Sequence, residues 1–178
     1  MDILYAYNPE SRPDDQKETI NAVFHSIQNH RIHYAIVKED QAYENRIKDL
    51  WEMGEPFIIL EQDIVPTQKD IDDLENCECD FCASKYRLYP KSTGLKEPVY
   101  AHRIVEEASY SIINRTRWVK DQDEFCDLYG FGLTKITPKG KYPITIDRWR
   151  DIDSRLSKYT WKHGIKCHLH GEVQHNHR

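Results

Sequence analysis

Three groups of side chains in this 178-residue chain have the types and spacing to do chemistry. Glu61-Gln62-Asp63 follows directly on the apolar run Pro56-Phe57-Ile58-Ile59-Leu60. Alternate residues of an extended segment point the same way, so Glu61 and Asp63 offer two carboxylates on one side. Paired carboxylates suit Mg²⁺ or Mn²⁺, hard cations that take oxygen ligands and share them with substrate phosphates. The same residues also suit a solvated acidic turn ahead of Val65-Pro66. Five of the nine histidines fall at or after position 163. In a strand His168 and His170 share a face, as do His175 and His177, and neutral imidazoles so placed are good metal ligands. A frayed terminus with exposed histidines is the plainer alternative. Asp151 and Asp153 form the third group, at the start of a helical stretch. Favourable interaction with the helix dipole explains them, and so does a general base aimed into a crevice. Cys77-x-Cys79-x-x-Cys82 has no paired Cys-x₂₋₄-Cys partner downstream of the kind zinc sites use. Unligated thiols are the default there, with His102 or Cys126 as the residues that could close a site.

The elements that must position these groups are clearest in the first 75 residues. Ile3–Tyr7 is an apolar run ending in Asn8-Pro9, which reads as a strand and then a loop. Asp14 and Asp15 offer a helix start, and Ile20, Val23, Phe24 and Ile27 recur on one helical face. His33–Val37 reads as a second strand. Ile47, Leu50 and Trp51 share a helical face in a segment that stops at Gly54. The run 56–60 is continuous, as a strand buried on both faces should be. This β-α-β-α-β alternation predicts an α/β fold with a doubly wound, mostly parallel sheet and helices on both faces. In such sheets ligands bind at the carboxyl ends of the strands, where Glu61-Gln62-Asp63 falls. Further on, Asp80–Tyr89 and Val99–Ile104 read as strands, and Glu106–Arg117 fits either helix or strand. A polar stretch follows Gly130-Phe131-Gly132. Trp149, Ile152 and Leu156 return to helical spacing in a helix ending near Gly164, and Ile165–Val173 is a last strand.

Bulk properties narrow the function. The length suits one domain with a real core. A formal net charge of −5 argues against a general nucleic-acid binder, which needs clustered Lys and Arg. No run of about 20 apolar residues exists, so no transmembrane helix is expected. Met-Asp-Ile-Leu-Tyr lacks a basic and apolar leader pattern, so the expected location is the cytoplasm, or a host's cytoplasm for a viral chain. The five cysteines are then expected as reduced thiols.

In this order the motifs resemble the GT-A fold glycosyltransferases, specifically family-2-like nucleotide-sugar enzymes, and look closest to the short versions encoded by viruses and uncultured microbes. The resemblance runs over nearly the whole chain, as one domain with a nucleotide-binding half (1–75) and an acceptor half with a C-terminal histidine strand (76–178). It implies that Asn8, Arg12, Asp40, Glu61 and Gln62 face the nucleotide. Glu61-Gln62-Asp63-Ile64-Val65-Pro66 resembles the family's Asp-x-Asp metal motif, with Glu61 in place of the first aspartate. Gly130-Phe131-Gly132-Leu133 resembles its glycine-containing acceptor segment. Arg150-Asp151-Ile152-Asp153 resembles its late acidic motif, with Arg150 where an acid usually stands and Asp151 as catalytic base. Val173-x-His175 resembles the strand that supplies a metal-binding histidine; among His170, His175 and His177 the preference falls on His175. The implied activity is transfer of a sugar from a nucleoside-diphosphate sugar to an acceptor hydroxyl, using Mn²⁺ or Mg²⁺ held by Asp63 and His175 with Glu61 nearby, with inversion as the expected course. Tyr129, Phe131, Trp149 and Trp161 would suit sugar stacking or a core equally. The rival classes are a metal-dependent hydrolase or phosphoesterase built on the same carboxylates and histidines, and a zinc-binding interaction module built on the Cys77 cluster.

Overall fold

Continuous apolar runs make the centre of the sheet. In the computed structural model, which describes residues 1–10, 17–22, 29–37, 41–89, 94–109, 112–143 and 152–176, β1 (Asp2–Tyr7) lies between β2 (Arg31–Ile36) and β3 (Phe57–Glu61), parallel to both. Ile3, Leu4, Ala6 and Ile58–Leu60 are fully buried, as strands covered on both faces must be. Side-chain alternation divides them between two cores. Leu4, Ala6, Phe57 and Ile59 pack with Ile47, Leu50 and Trp51 of α1 (Ala42–Met53) and Leu156 of α3 (Ile152–Lys162). Ile3, Tyr5, Ile58 and Leu60 pack on the other face with Ile71 and Leu74 of α2 (Gln68–Glu75) and with Ile20 of the helical residues 17–22. The expected helices on both faces are therefore present. α1 stops at Gly54 (φ 77), whose amide closes on the Trp51 carbonyl. α2 starts with a reciprocal capping box between Thr67 and Asp70.

The sheet has seven strands in the order β10-β12-β5-β11-β3-β1-β2, with β5 at Phe81–Lys85, β10 at Phe125–Cys126, β11 at Leu133–Ile136 and β12 at Cys167–Glu172. It is mixed rather than mostly parallel: β1–β2, β1–β3 and β5–β12 are parallel, while β3–β11, β5–β11 and β10–β12 are antiparallel. The difference comes from β11, which inserts antiparallel between β3 and β5. Leu133-Thr134-Lys135-Ile136 does not read as a central strand because two of its four buried residues are polar. The fold satisfies both: Thr134 Oγ1 donates to the Phe131 carbonyl at 2.6 Å, and Lys135 Nζ donates to the Cys77 carbonyl. Strands from both halves of the chain thus share one sheet.

The ambiguous segment after 103 is a two-stranded ribbon, β8 (Arg103–Ser109) with β9 (Ile112–Trp118), outside the main sheet. Two short pairs complete the strands: β6 (Arg87–Leu88) with β7 (Val99–Tyr100), and β4 (Ile64–Val65) with β13 (Gln174–His175). No helix among the described residues is long and apolar enough to cross a membrane.

Candidate functional site

The site is assembled where β3 gives way to a turn. β3 ends at Glu61, residues 62–63 turn, and β4 then pairs antiparallel with β13, setting His175 opposite Ile64. The Asn176 amide donates to the Asp63 carbonyl at 2.7 Å, which locks the C-terminal segment against the turn. Asp63 Oδ2 lies 3.1 Å from His175 Nε2, and His175 Nδ1 lies 2.7 Å from the Arg87 carbonyl. A carbonyl can only accept, so Nδ1 carries the proton in the neutral ring and Nε2 presents its lone pair toward the carboxylate. Two acceptors face each other, and a proton or a cation must stand between them. Burial opposes charging His175, but the bonds to Asp63 and to the Arg87 carbonyl outweigh it and hold the pKa above the ordinary histidine value. The same gap fits a cation. Adjacent ligands of an octahedral ion with bonds of about 2.1 Å stand about 3 Å apart. The Arg87 carbonyl supplies the outer hydrogen bond that metal-ligating histidines ordinarily make.

The turn also joins the carboxyl ends of β3 and β1. Gln62 Oε1 accepts from the Asn8 amide, and Asn8 Oδ1 accepts from the Glu10 amide at 3.0 Å. Asn8, Gln62 and Asp63 are thereby brought to one end of the sheet, as expected. Arg12, Asp40 and Asp151 lie outside the described residues, as do Trp149, Arg150 and His177. Glu61 does not follow the alternation rule, because the turn at 62–63 interrupts the extended chain. Its Oε2 accepts from the Gly132 amide at 3.1 Å, and its own amide donates to the Gly132 carbonyl at 2.8 Å. Among the described residues, Asp63 and His175 join no third His, Cys, Asp or Glu at ligand spacing, Glu61 included.

Gly130 and Gly132 have a packing reason. A Cβ on Gly130 would stand 2.2 Å from the Tyr86 hydroxyl, and one on Gly132 would stand 2.4 Å from Tyr86 Cε1. Tyr86 is thus pressed onto this loop, with its ring edge-on to His175 (centroids 5.1 Å) and to His102 (5.4 Å). Burial above all, then the negative charges of Glu61, Asp153 and Asp63, drives the Tyr86 hydroxyl pKa well up, so it stays a neutral donor. Tyr43 on α1 is raised by burial and by Glu61 and Asp153 in the same way. His102 is buried and its pKa falls to about 3, which makes it a neutral support behind Tyr86. Asp153, in the first turn of α3, stands 3.7 Å from the same Gly130 Cβ position and faces this cluster. α3 is clamped to α1 by Arg155, whose two terminal nitrogens reach both Glu44 oxygens at 3.1 and 2.7 Å. Tyr129 and Phe131 are core residues rather than stacking platforms.

Among the described residues His175 reaches Asp63, while His168 and His170 turn to Cys77. Cys126 pairs with Cys167 across β10 and β12, and His102 packs on Tyr86, so neither is the residue that closes on the Cys77 cluster. Sequence reasoning missed Tyr86, whose one visible signal was the glycine pair that its ring requires.

No protein-family profile matches the chain, and no curated protein matches it. Among solved structures the chain is similar to A197 from STIV, with a TM-score of 0.59 at 13% identity, over 97% of this chain and 83% of that one. At that identity the likeness is one of fold alone.

Proposed function

We propose that this protein is a metal-dependent glycosyltransferase of the GT-A type that moves a sugar from a nucleoside-diphosphate sugar to an acceptor hydroxyl. The observation that carries the reading is the Asp63–His175 pair, 3.1 Å apart just past the carboxyl end of β3, where α/β sheets bind ligands. Asp63 and His175 hold Mn²⁺ or Mg²⁺, and Arg87, through its carbonyl, fixes the imidazole tautomer. When bound, the cation supplies positive charge to the leaving diphosphate. Asn8 and Gln62, tied to each other beside the pair, line the donor side, with Arg12 and Asp40 assigned there by resemblance. Glu61 positions the Gly130–Gly132 loop rather than the cation. Asp151, assigned by resemblance, takes the acceptor proton as general base, and Asp153 faces Tyr86 and the loop from the first turn of α3. A base on the face opposite the leaving group gives inversion at the anomeric carbon.

The test is a panel of UDP-, GDP- and dTDP-sugars incubated with Mn²⁺ and candidate glycan acceptors, with the released nucleoside diphosphate measured. Acceptor-dependent release from one donor, lost in Asp63→Ala and His175→Ala, is expected. Release that ignores the acceptor assigns the site to hydrolysis, and no release from any donor overturns the reading.

A further inference from the structure

We propose that Cys77, His168 and His170 form a second, zinc-binding site, with its fourth ligand a sulfur from Cys79 or Cys82. Cys77 lies just past the end of α2, where its amide closes on the Leu74 carbonyl at 3.2 Å. His168 and His170 are alternate residues of β12, so both project from one face of the strand. Parallel pairing of β12 with β5 sets His168 beside Cys82 and His170 beside Ser84, on the face that α2 covers. The strand register therefore delivers two imidazoles to the thiol at the helix end. Cys77 Sγ stands 3.3 Å from His168 Nδ1, the two rings have centroids 4.6 Å apart, and one ligand atom from each of the three residues lies within 4.8 Å of the others. Ligand atoms of tetrahedral zinc, with bonds of about 2.0 Å to nitrogen and 2.3 Å to sulfur, stand about 3.3–3.8 Å apart. A small side-chain swing brings the widest edge into that range.

Two further features fit the assignment. His170 Nε2 is buried without a hydrogen-bond partner, a cost that a metal bond removes. Cys79 and Cys82 follow Cys77 in the same short segment, the Cys82 thiol donating to the Cys79 carbonyl at 3.2 Å, and a swing of either side chain toward Cys77 would supply the fourth sulfur. Buried Lys135, bonded to the Cys77 carbonyl, sets a fixed positive charge beside sulfurs that must be thiolates to bind, their protons passing to solvent. Sulfur and imidazole select zinc, whereas the carboxylate and imidazole of Asp63 and His175 suit Mn²⁺ or Mg²⁺. The two sites are chemically distinct, and this one stands whether or not the protein transfers sugars. Its effect would be to pin α2 to β12, the strand that runs on to His175.

The experiment is metal analysis of the purified full chain with zinc supplied during expression. About one zinc per chain is expected, lost in Cys77→Ser and His168→Ala and retained in His175→Ala. Wild-type protein stripped with a zinc chelator and reloaded with Co²⁺ should show sulfur-to-cobalt charge transfer, which Cys79→Ser or Cys82→Ser weakens; this readout holds even where a Cys77 variant does not fold. A zinc-free wild-type chain that also gives no thiolate–cobalt band, or zinc lost only in His175→Ala, overturns the proposal.

Discussion

Gly132→Ala measures how tightly the site loop is built on Tyr86. Gly132 has φ 25, on the left-handed side where a side chain costs about 1–2 kcal/mol. The new Cβ would meet Tyr86 Cε1, Cδ1 and Cζ at 2.4, 2.8 and 3.0 Å, and these are its three nearest neighbours. His175 and His102 pack edge-on against the ring and limit its retreat. Overpacking of this kind costs about 1–3 kcal/mol, so the total comes to about 2–5 kcal/mol. At about 2–4 °C per kcal/mol for a chain of this size, the melting temperature should fall by about 4–20 °C. In a Tyr86→Ala background the three clashing atoms are gone and only the backbone cost of about 1–2 kcal/mol remains. A double-mutant cycle by urea denaturation should therefore return a coupling of about 1–3 kcal/mol. Equal costs in the two backgrounds, or a neutral Gly132→Ala, would refute the contact.

Asp123 accepts from both Arg117 terminal nitrogens at 2.7 and 3.0 Å, and chiefly this bond draws its pKa down to about 2. A depressed carboxyl stabilises the fold above its unfolded value of 3.8 and loses that effect as pH falls toward 2. Asp123→Asn should thus melt lower at neutral pH and lose less on acidification, in thermal melts from pH 6 to 2.5. The raised His175 pKa has the opposite sign: without metal, the Asp63–His175 pair stabilises fully below the ordinary histidine value of 6.5 and less as pH rises through the folded value. Added Mn²⁺ should then raise the melting temperature more at pH 8 than at pH 6, because the cation must displace that proton. Arg155→Ala breaks the two-pronged bond to Glu44 between α3 and α1, and should cost about 1.5–3 kcal/mol in urea denaturation.

Legibility followed local chemistry. β1, β3 and the stop of α1 at Gly54 were readable because buried runs and a left-handed cap are written in consecutive residues. α2 carries an equally local signature, the Thr67-x-x-Asp70 capping box. β11 was hidden because Thr134 and Lys135 are buried with partners that only the fold supplies. At the site, Asp63 and His175 were identifiable by type and by resemblance. Glu61 was misdirected by assuming that the strand continued through the turn at 62–63. The Cys77 cluster looks incomplete for a spacing reason: a rule that seeks a second cysteine pair overlooks His168 and His170, 91 and 93 residues away, brought in by the register of β12 on β5.

The proposed function requires that Asp63 and His175 together hold a divalent cation beside a nucleoside diphosphate. Electron paramagnetic resonance titration of Mn²⁺, with and without UDP or GDP, tests it most directly. Wild-type protein should take up Mn²⁺ more tightly with the nucleotide present, the nucleotide binding more tightly with Mn²⁺ by the same factor, and Asp63→Ala and His175→Ala should each abolish this coupling. Equal Mn²⁺ affinity in all three proteins, unmoved by either nucleotide, would contradict it.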